Sequence, residues 1–548
     1  MTRRMTPDRL HAALPRSLVL LCAALWIAVG LFGREPYKPD EAYTVGLVKS
    51  IVDTGDWVVP RLVGEPFMEK PPLFFGVAAL FARLLPWLPL HEAARCAVVL
   101  FVAIGLLAVA ACARAVHGTG SGRLAVLLTL STVGAVVRLH QLITDTALFA
   151  GVAIALLGLV RAPQRPTLGG ALLGFGFGVA FFAKGLLGPG LIACTAVALL
   201  ALPSWRQPRI AGSYALAALV AALMLACWLV PLALRAPDQL RVWFFDNNLG
   251  RFFGSNTLGP KKDLLFYARL LPWYALPCWP LALWGWLRAT QGGKSDETRW
   301  LGAVPLAFLL VGIAVLSLAS DGRELYALVL VPAFAVAASG GLQRIPVEAE
   351  RRIAIGVAAL MLVLSAALLG AWGVAMLSPQ MTATLPAVAA LAAVVAPSPA
   401  AMAVYGAVAL TLLLMLGSLR RPTRGTLPLA GAAGMALLWA SLMLPWGNYL
   451  DTLKGYRGPS LALGRHLPAT GCVASAGLGE GERALLDYYI GLRTRRVETM
   501  PSAAECAALL VQSLPDSTAS VDASWRLRWE GARGGLRFDS SVLRLYVR

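Results

Sequence analysis

The chain has 548 residues, 58% of them hydrophobic and 14% charged, with a formal net charge of +19. Soluble domains carry roughly 25% charged residues, so the composition excludes an ordinary water-soluble globular protein. The basic residues lie in short loops rather than in one patch interleaved with aromatics, which points away from nucleic acid and toward the positive-inside bias of a membrane protein.

Arg3, Arg4, Arg9 and Arg16 precede the first apolar run and predict a cytoplasmic N-terminus. No small-residue cleavage site follows that run, so it reads as an anchor rather than a removed signal peptide. Runs of the ~17–25 residues needed to cross a bilayer as helix recur near 17–33, 92–113, 122–139, 145–161, 167–184, 186–202, 210–234, 266–288, 301–319, 325–341, 353–377, 400–418 and 427–446. The apolar stretch 384–397 is short, and Pro397 and Pro399 break it from the next run. Counting it as a span gives fourteen and puts Arg420, Arg421 and Arg424 outside, against the charge bias. Treating it as a partial or re-entrant helix gives thirteen. The expected fold is a polytopic α-helical membrane protein of about 13 transmembrane helices over 1–446, with outer loops at 34–91, 140–145, 184–186, 235–265 and 320–324. Those loops hold nearly every acid of the membrane region, and charge gathered at one membrane edge predicts a periplasmic site.

The densest stretch is 38–75, where Asp40, Glu41, Asp53, Asp56, Glu65, Glu69 and Lys70 stand beside Pro71-Pro72. Taken alone, Asp40-Glu41 reads either as interfacial capping of a helix beginning at Ala42 or as a functional pair.

After Gly447 the composition turns polar. GCVASAGL and TRRVETM read as strands and ERALLDYYIG as a helix; SAAECAALLVQSL reads as a helix entering a strand. SWRLRWEGARGG with VLRLYVR suggests a closing hairpin. Residues 447–548 are therefore expected to form a small periplasmic α/β domain. Six of the eight cysteines, Cys22, Cys96, Cys112, Cys194, Cys227 and Cys278, lie in or beside apolar runs and read as small buried hydrophobes. There is no CxxC or Cys/His metal spacing. Cys472 and Cys506 can pair if their region is extracytoplasmic.

Asp40-Glu41, Gly55-Asp56-Trp57 and Glu69-Lys70-Pro71-Pro72-Leu73, in that order and spacing, resemble the bacterial aminoarabinose (4-amino-4-deoxy-L-arabinose) lipid A transferases. These are polyprenyl-phosphate-sugar glycosyltransferases related to protein O-mannosyltransferases. Downstream, Asp145 in LITDTALF, Lys184 in FFAKGLLGPG, Arg251 in NLGRFF and Tyr326 in RELYALVLVP match further elements of that family, as do YYIG, CAALLVQS and WEGAR near the C-terminus. The resemblance implies a C-superfamily glycosyltransferase fold and an inverting transfer of a sugar from undecaprenyl phosphate to a periplasmic acceptor, with lipid A phosphate as the first candidate. It further implies an enzyme of the inner membrane, bearing on lipopolysaccharide modification and polymyxin resistance. Two departures bear on the substrate. The family's DEARY is here Asp40-Glu41-Ala42-Tyr43-Thr44, without its Arg, and Phe67 stands where a Tyr is common.

The chemistry asks for these residue types independently. A polyprenyl-phosphate donor releases an anionic phosphate at headgroup depth, which Lys70 and Arg251, with Lys184 third and Tyr326 beside them, are placed to stabilise. Each cation can instead snorkel to the interface. A carboxylate that orients or deprotonates the acceptor is needed, with Asp40 first, then Asp145 and Glu41. Glu69 with Asp246 leaves a divalent metal ion open, and a structural salt bridge for Glu69 equally so. Trp273 and Trp279 read as an interfacial belt. The paired phenylalanines 244–245 and 252–253, beside Trp243, read either as belt or as a groove for a polyprenyl chain. The alternatives are a protein or other glycan glycosyltransferase using the same donor type, or a transporter of lipid-linked sugars. A transporter would show paired half-repeats, which the sequence lacks.

Overall fold

The computed structural model describes residues 14–255, 260–290, 296–377, 398–420, 423–514, 522, 524–533 and 541–548; the stretch 384–397 and Arg421 lie outside them. Among the described residues, eight helices are long and apolar enough to cross a membrane. They are Leu90–His117, Pro166–Lys184, Pro208–Arg235, Leu301–Leu318, Glu324–Leu342, Val347–Met376, Pro399–Gly417 and Thr426–Met443. Four shorter apolar helices, Arg16–Ala28, Leu73–Leu84, Ser121–Ser131 and Leu187–Leu199, accompany them. The chain is a multi-span membrane protein.

Two expected spans are broken, and the breaks answer each other. The run 122–139 forms Ser121–Ser131 and Val133–Arg138, interrupted at Thr132, whose ψ of 122° is extended. The run 266–288 forms Phe266–Tyr274 and Cys278–Thr290, interrupted ahead of Pro277. The amide of Val133 donates to the carbonyl of Leu276 at 3.0 Å, so each break supplies a partner that lipid cannot offer. Hydropathy sees one apolar run in both places.

Helix ends fix which segments share a membrane edge. Arg351 donates to the carbonyl of Leu419 at 3.3 Å, and the amide of Gly425 donates to Glu350 at 2.7 Å. The start of Val347–Leu377, the end of Pro399–Gly417 and the start of Thr426–Met443 therefore meet at one edge. Leu377 and Ser398 consequently lie at the other.

The helices Asp145–Arg161 and Pro166–Lys184 pack through small residues. A Cβ added at Gly158 would meet the Leu173 amide nitrogen at 2.4 Å, and one at Gly176 the Ala155 nitrogen at 2.4 Å. This close approach, a small-residue seam typical of membrane helices, carries Asp145 and Lys184 to the same edge.

On that edge lie the helix Asp40–Thr54 and a short hairpin, β1 (Arg61–Leu62) with β2 (Glu65–Pro66). Asp40 sits inside the first helical turn, after Pro39, with no side-chain cap. The capping reading, with the helix beginning at Ala42, is corrected accordingly. The C-terminal region forms a five-stranded sheet from β3 (Val473–Ala476), β4 (Arg495–Arg496), β5 (Ala508–Ser513), β6 (Arg526–Ala532) and β7 (Val542–Val547). Its order is β4-β3-β5-β7-β6, with β4, β3 and β5 parallel and β7 and β6 antiparallel. Cys472 and Cys506 are joined in a disulfide.

The helix Glu480–Ile490 lies along Asp40–Thr54, close enough that a Cβ on Gly46 would strike Ala484 Cβ at 2.8 Å. Ion pairs bind the two surfaces: Lys38 with Glu482, Lys49 with Asp487 at 3.4 Å, and Glu65 with Arg483 at 3.0 Å and Arg496 at 3.2 Å. Tyr488 adds a hydroxyl contact to His91 Nδ1 at 2.8 Å. The sheet region thus covers the charged segment 38–75.

Candidate active site

Asp40, at the start of its helix, accepts from the Tyr43 hydroxyl one turn on at 2.6 Å. Lys70 donates to that same hydroxyl, and its Nζ lies 3.9 Å from Asp40 Oδ1 and 4.8 Å from the centre of the Tyr43 ring. Pro71 and Pro72 follow Lys70 and lead directly into the helix Leu73–Leu84, which fixes the direction in which the lysine leaves the loop. Burial pushes the Asp40 carboxyl upward, but Lys70, the Tyr43 hydrogen bond, Lys184 and Arg323 together hold it below the ordinary carboxylate range.

Asp145 begins its helix and is almost fully buried. Lys184, ending the antiparallel neighbour, donates to Asp145 Oδ1, and its Nζ lies 4.4 Å from the centre of the Tyr326 ring. The Tyr326 hydroxyl donates to Asp321 at 2.9 Å. Gly185, at φ +66°, ends the Lys184 helix, and any Cβ there would strike Asn248 Oδ1 at 2.4 Å. That oxygen accepts from the Leu186 amide at 2.9 Å. The Lys184 turn is in this way pinned to the segment Val242–Gly250, which leads into Arg251. Arg251 then donates to Glu69, next to Lys70.

Asp40, Lys70, Asp145, Lys184 and Tyr326 therefore form one cluster of opposed charges at the membrane edge, bordered by the Arg251–Glu69 pair. Glu41 does not join it. Its carboxylate accepts from Arg34 Nη1 and Nη2 at 2.6 and 2.7 Å, from the Tyr37 amide at 2.9 Å and from the Leu142 amide at 2.9 Å. Arg34 reaches on to the His140 carbonyl at 2.8 Å. Glu41 is fully buried, and although burial raises its carboxyl, Arg34 and Arg95 bring it down to about 2. All its acceptor capacity ties the loop carrying Asp40 to the loop preceding Asp145.

The metal option finds a poor donor set. Glu69 is committed to Arg251, and among the described residues no group of three or more His, Cys, Asp or Glu gathers where an ion would sit. Trp243 is buried at 5.3 Å from Trp228 and 5.5 Å from Phe181, ring centre to ring centre, whereas Phe244, Phe245, Phe252 and Phe253 are exposed. Of these five aromatics, the four phenylalanines form an exposed apolar surface.

Sequence reading passed over two residues. Tyr43 is a departure from the family pattern, yet its hydroxyl bridges Asp40 and Lys70, and its ring stacks on Phe67, the other departure, at 5.4 Å between centres. Arg323, three residues before Tyr326, contributes to the positive field on Asp40.

Residues 69–232 match the family model of dolichyl-phosphate-mannose-protein mannosyltransferases. The chain is 28% identical over 381 residues to the undecaprenyl phosphate-alpha-4-amino-4-deoxy-L-arabinose arabinosyl transferase of Edwardsiella ictaluri (strain 93-146), covering 64% of each chain. It is 28% identical over 328 residues to the enzyme of the same name from Pseudomonas aeruginosa (strain LESB58), covering 56% of each. The alignments span less than two thirds of the length of these relatives. The structure superposes on the crystal structure of ArnT from Cupriavidus metallidurans bound to undecaprenyl phosphate with a TM-score of 0.71 at 17% identity, covering 96% of this chain and 97% of that one. The chain is thus similar in sequence to the aminoarabinose transferases, as its motifs led one to expect, and it has the fold of the crystallised one.

Proposed function

We propose that the chain is an inverting glycosyltransferase that moves a sugar from undecaprenyl phosphate to a periplasmic acceptor, with aminoarabinose and a lipid A phosphate as the first donor sugar and acceptor to test. The observation that carries the reading is the largely buried cluster in which two carboxylates, Asp40 and Asp145, meet two ammonium groups, Lys70 and Lys184, at one membrane edge. Charges are this costly at a lipid boundary only where they serve a purpose.

In the proposed reaction an acceptor oxygen attacks the anomeric carbon from the face opposite the phosphate. The bond between that carbon and the phosphate oxygen breaks, its electron pair leaves with the phosphate, and the centre inverts. Lys70 and Arg251 stabilise the leaving phosphate, with Lys184 and Tyr326 bordering it. Asp40, ionised at neutral pH, orients the acceptor or takes its proton, and Asp145 steadies positive charge developing on the sugar. Glu41 is a positioning residue that keeps the two aspartate-bearing loops together. Because Glu69 is occupied by Arg251, no step is routed through a metal.

The same reading puts the N-terminus in the cytoplasm and the site and C-terminal sheet region in the periplasm of an inner-membrane protein. The Cys472–Cys506 disulfide favours an oxidising compartment for that region. With Leu377 and Ser398 at one edge, thirteen crossings accommodate the described helices. A second reading, in which the sugar or acceptor differs, draws support from the Tyr43–Phe67 stack beside Asp40, where the family pattern is altered.

The test is mass spectrometry of lipid A and total glycolipid from cells with the gene, without it, and with Asp40→Asn. A sugar-modified lipid A that depends on the gene and disappears in the variant is expected. Unchanged lipid A alongside a gene-dependent change in another glycan or protein would replace the acceptor and keep the reaction. No gene-dependent product of any kind would remove the reading.

A further inference from the structure

A cavity of about 550 Å³ lies far from this cluster, lined by Arg114, His117, Gln164, Leu301, Gln343 and Arg344, among others. Three helices that start at the catalytic edge end beside it. Leu90–His117 starts near Tyr488, Asp145–Arg161 starts with Asp145, and Glu324–Leu342 starts near Tyr326. At 1.5 Å per residue even a helix of about 17 residues spans ~25 Å, so the cavity opens on the opposite membrane face. The proposed catalysis makes no use of it.

The charged side chains among its described lining residues are cationic. No carboxylate is among the described residues lining it, and among the described residues none forms an ion pair with Arg114 or Arg344. The wall is fixed. His117 packs so closely on Gly340 that an added Cβ would lie 2.4 Å from the imidazole, and the Arg344 guanidinium donates to the Gly285 carbonyl. A guanidinium carries five donors in a planar fork, so one carbonyl leaves Arg344 with donors to spare.

We propose that this cavity binds the phosphate of an anionic headgroup. Two guanidinium groups and two side-chain amides, Gln164 and Gln343, suit phosphate oxygens, which arginine binds in bidentate fashion. The volume falls within the roughly 300–1,000 Å³ of small-molecule sites and exceeds what a bare phosphate ion fills. Basic pockets between membrane helices at the lipid–water boundary are where acidic phospholipid headgroups bind. The shared chemistry is a phosphate oxyanion, carried either by a phospholipid or by a soluble phosphate compound. The inference stands independently of the glycosyl-transfer reading.

The full-length protein, purified in detergent and delipidated, is offered dioleoyl phosphatidylglycerol, dioleoyl phosphatidylcholine or inorganic phosphate, and retention is read by native mass spectrometry. Removing two arginines from beside an anionic headgroup should cost roughly 10- to 30-fold in retention. Wild type should therefore keep phosphatidylglycerol at least that much better than R114Q/R344Q, while both keep phosphatidylcholine equally. Retention of inorganic phosphate that the double variant loses, without any preference for phosphatidylglycerol, would assign the site to a soluble phosphate. Should R114Q/R344Q fail to fold, Gln343→Glu adds an acid to the cavity and leaves both arginines in place, and it should likewise lose phosphatidylglycerol. Equal retention of every probe by wild type and by the folded variants would overturn the proposal.

Discussion

Replacing Glu41 with Gln separates a positioning carboxylate from a catalytic one. Glutamine keeps an oxygen for only one of the Tyr37 and Leu142 amides, which bond to different oxygens of Glu41, and it withdraws the charge facing Arg34, whose two nitrogens sit 2.6 and 2.7 Å from the carboxylate. Both partners are buried, and removing one member of a buried ion pair typically costs about 3–5 kcal/mol because the other charge is stranded. Arg34 would be stranded beside Arg95, which donates to the Arg34 carbonyl at 2.6 Å. The thermal midpoint of the detergent-solubilised protein should fall clearly in Glu41→Gln, and Arg34→Met should lower it similarly. The double variant Arg34→Met/Glu41→Met, with no unpaired charge, should recover much of the loss. The pH dependence carries the same signature. Glu41 titrates near 2 in the folded protein against an ordinary 4.5, so its contribution to stability is complete above about 4.5 and declines as pH falls through about 2. Transfer activity lost in Glu41→Gln with an unmoved thermal midpoint would refute the positioning role and return Glu41 to the chemistry.

Three other outcomes follow from the geometry. Lys70→Met should cut the transfer rate by ~10²–10³-fold, the scale for loss of one preorganised stabiliser of developing charge; an unchanged rate in a donor-saturated assay would remove Lys70 from the phosphate site. Replacing Cys472 and Cys506 with Ser opens a loop of 34 residues, and the loop-entropy relation gives a loss of ~3–4 kcal/mol; faster limited proteolysis of the sheet region should report it, and unchanged proteolysis would mean the bridge stabilises nothing. EDTA should leave transfer unaffected, since Glu69 is paired with Arg251. Loss on chelation, restored by added zinc or magnesium, would reinstate Glu69 and Asp246 as metal ligands.

Much of this was readable in the sequence because lipid imposes strong rules on composition and loop charge. The acidic loop at 38–75, the Lys184 turn and the strand-helix pattern after Gly447 all carry local signals. The broken helices were hidden because the repair is non-local. Only the Val133–Leu276 bond explains how a gap at Thr132 is tolerated, and hydropathy cannot register a contact across more than a hundred residues. Glu41 was grouped with Asp40 because adjacency is all that sequence offers. Neighbouring helical residues point about 100° apart, so one carboxylate faces the site and the other the Arg34 network. Tyr43 stood out only as a mismatch, since its hydroxyl serves Asp40 one turn away and Lys70 from another segment.

The central claim is that Asp40, Lys70, Asp145 and Lys184 form the catalytic centre for a polyprenyl-phosphate sugar. Its most direct test is to quantify free undecaprenyl phosphate released from undecaprenyl-phosphate aminoarabinose in proteoliposomes containing lipid A, comparing wild type with Asp40→Asn of matched thermal midpoint. Release that depends on the acceptor and drops by ~10²–10⁴-fold in the variant, the range for a lost acid–base group, is the predicted result. Equal release by both proteins, or none by the wild type with any polyprenyl-phosphate sugar and acceptor offered, would contradict it.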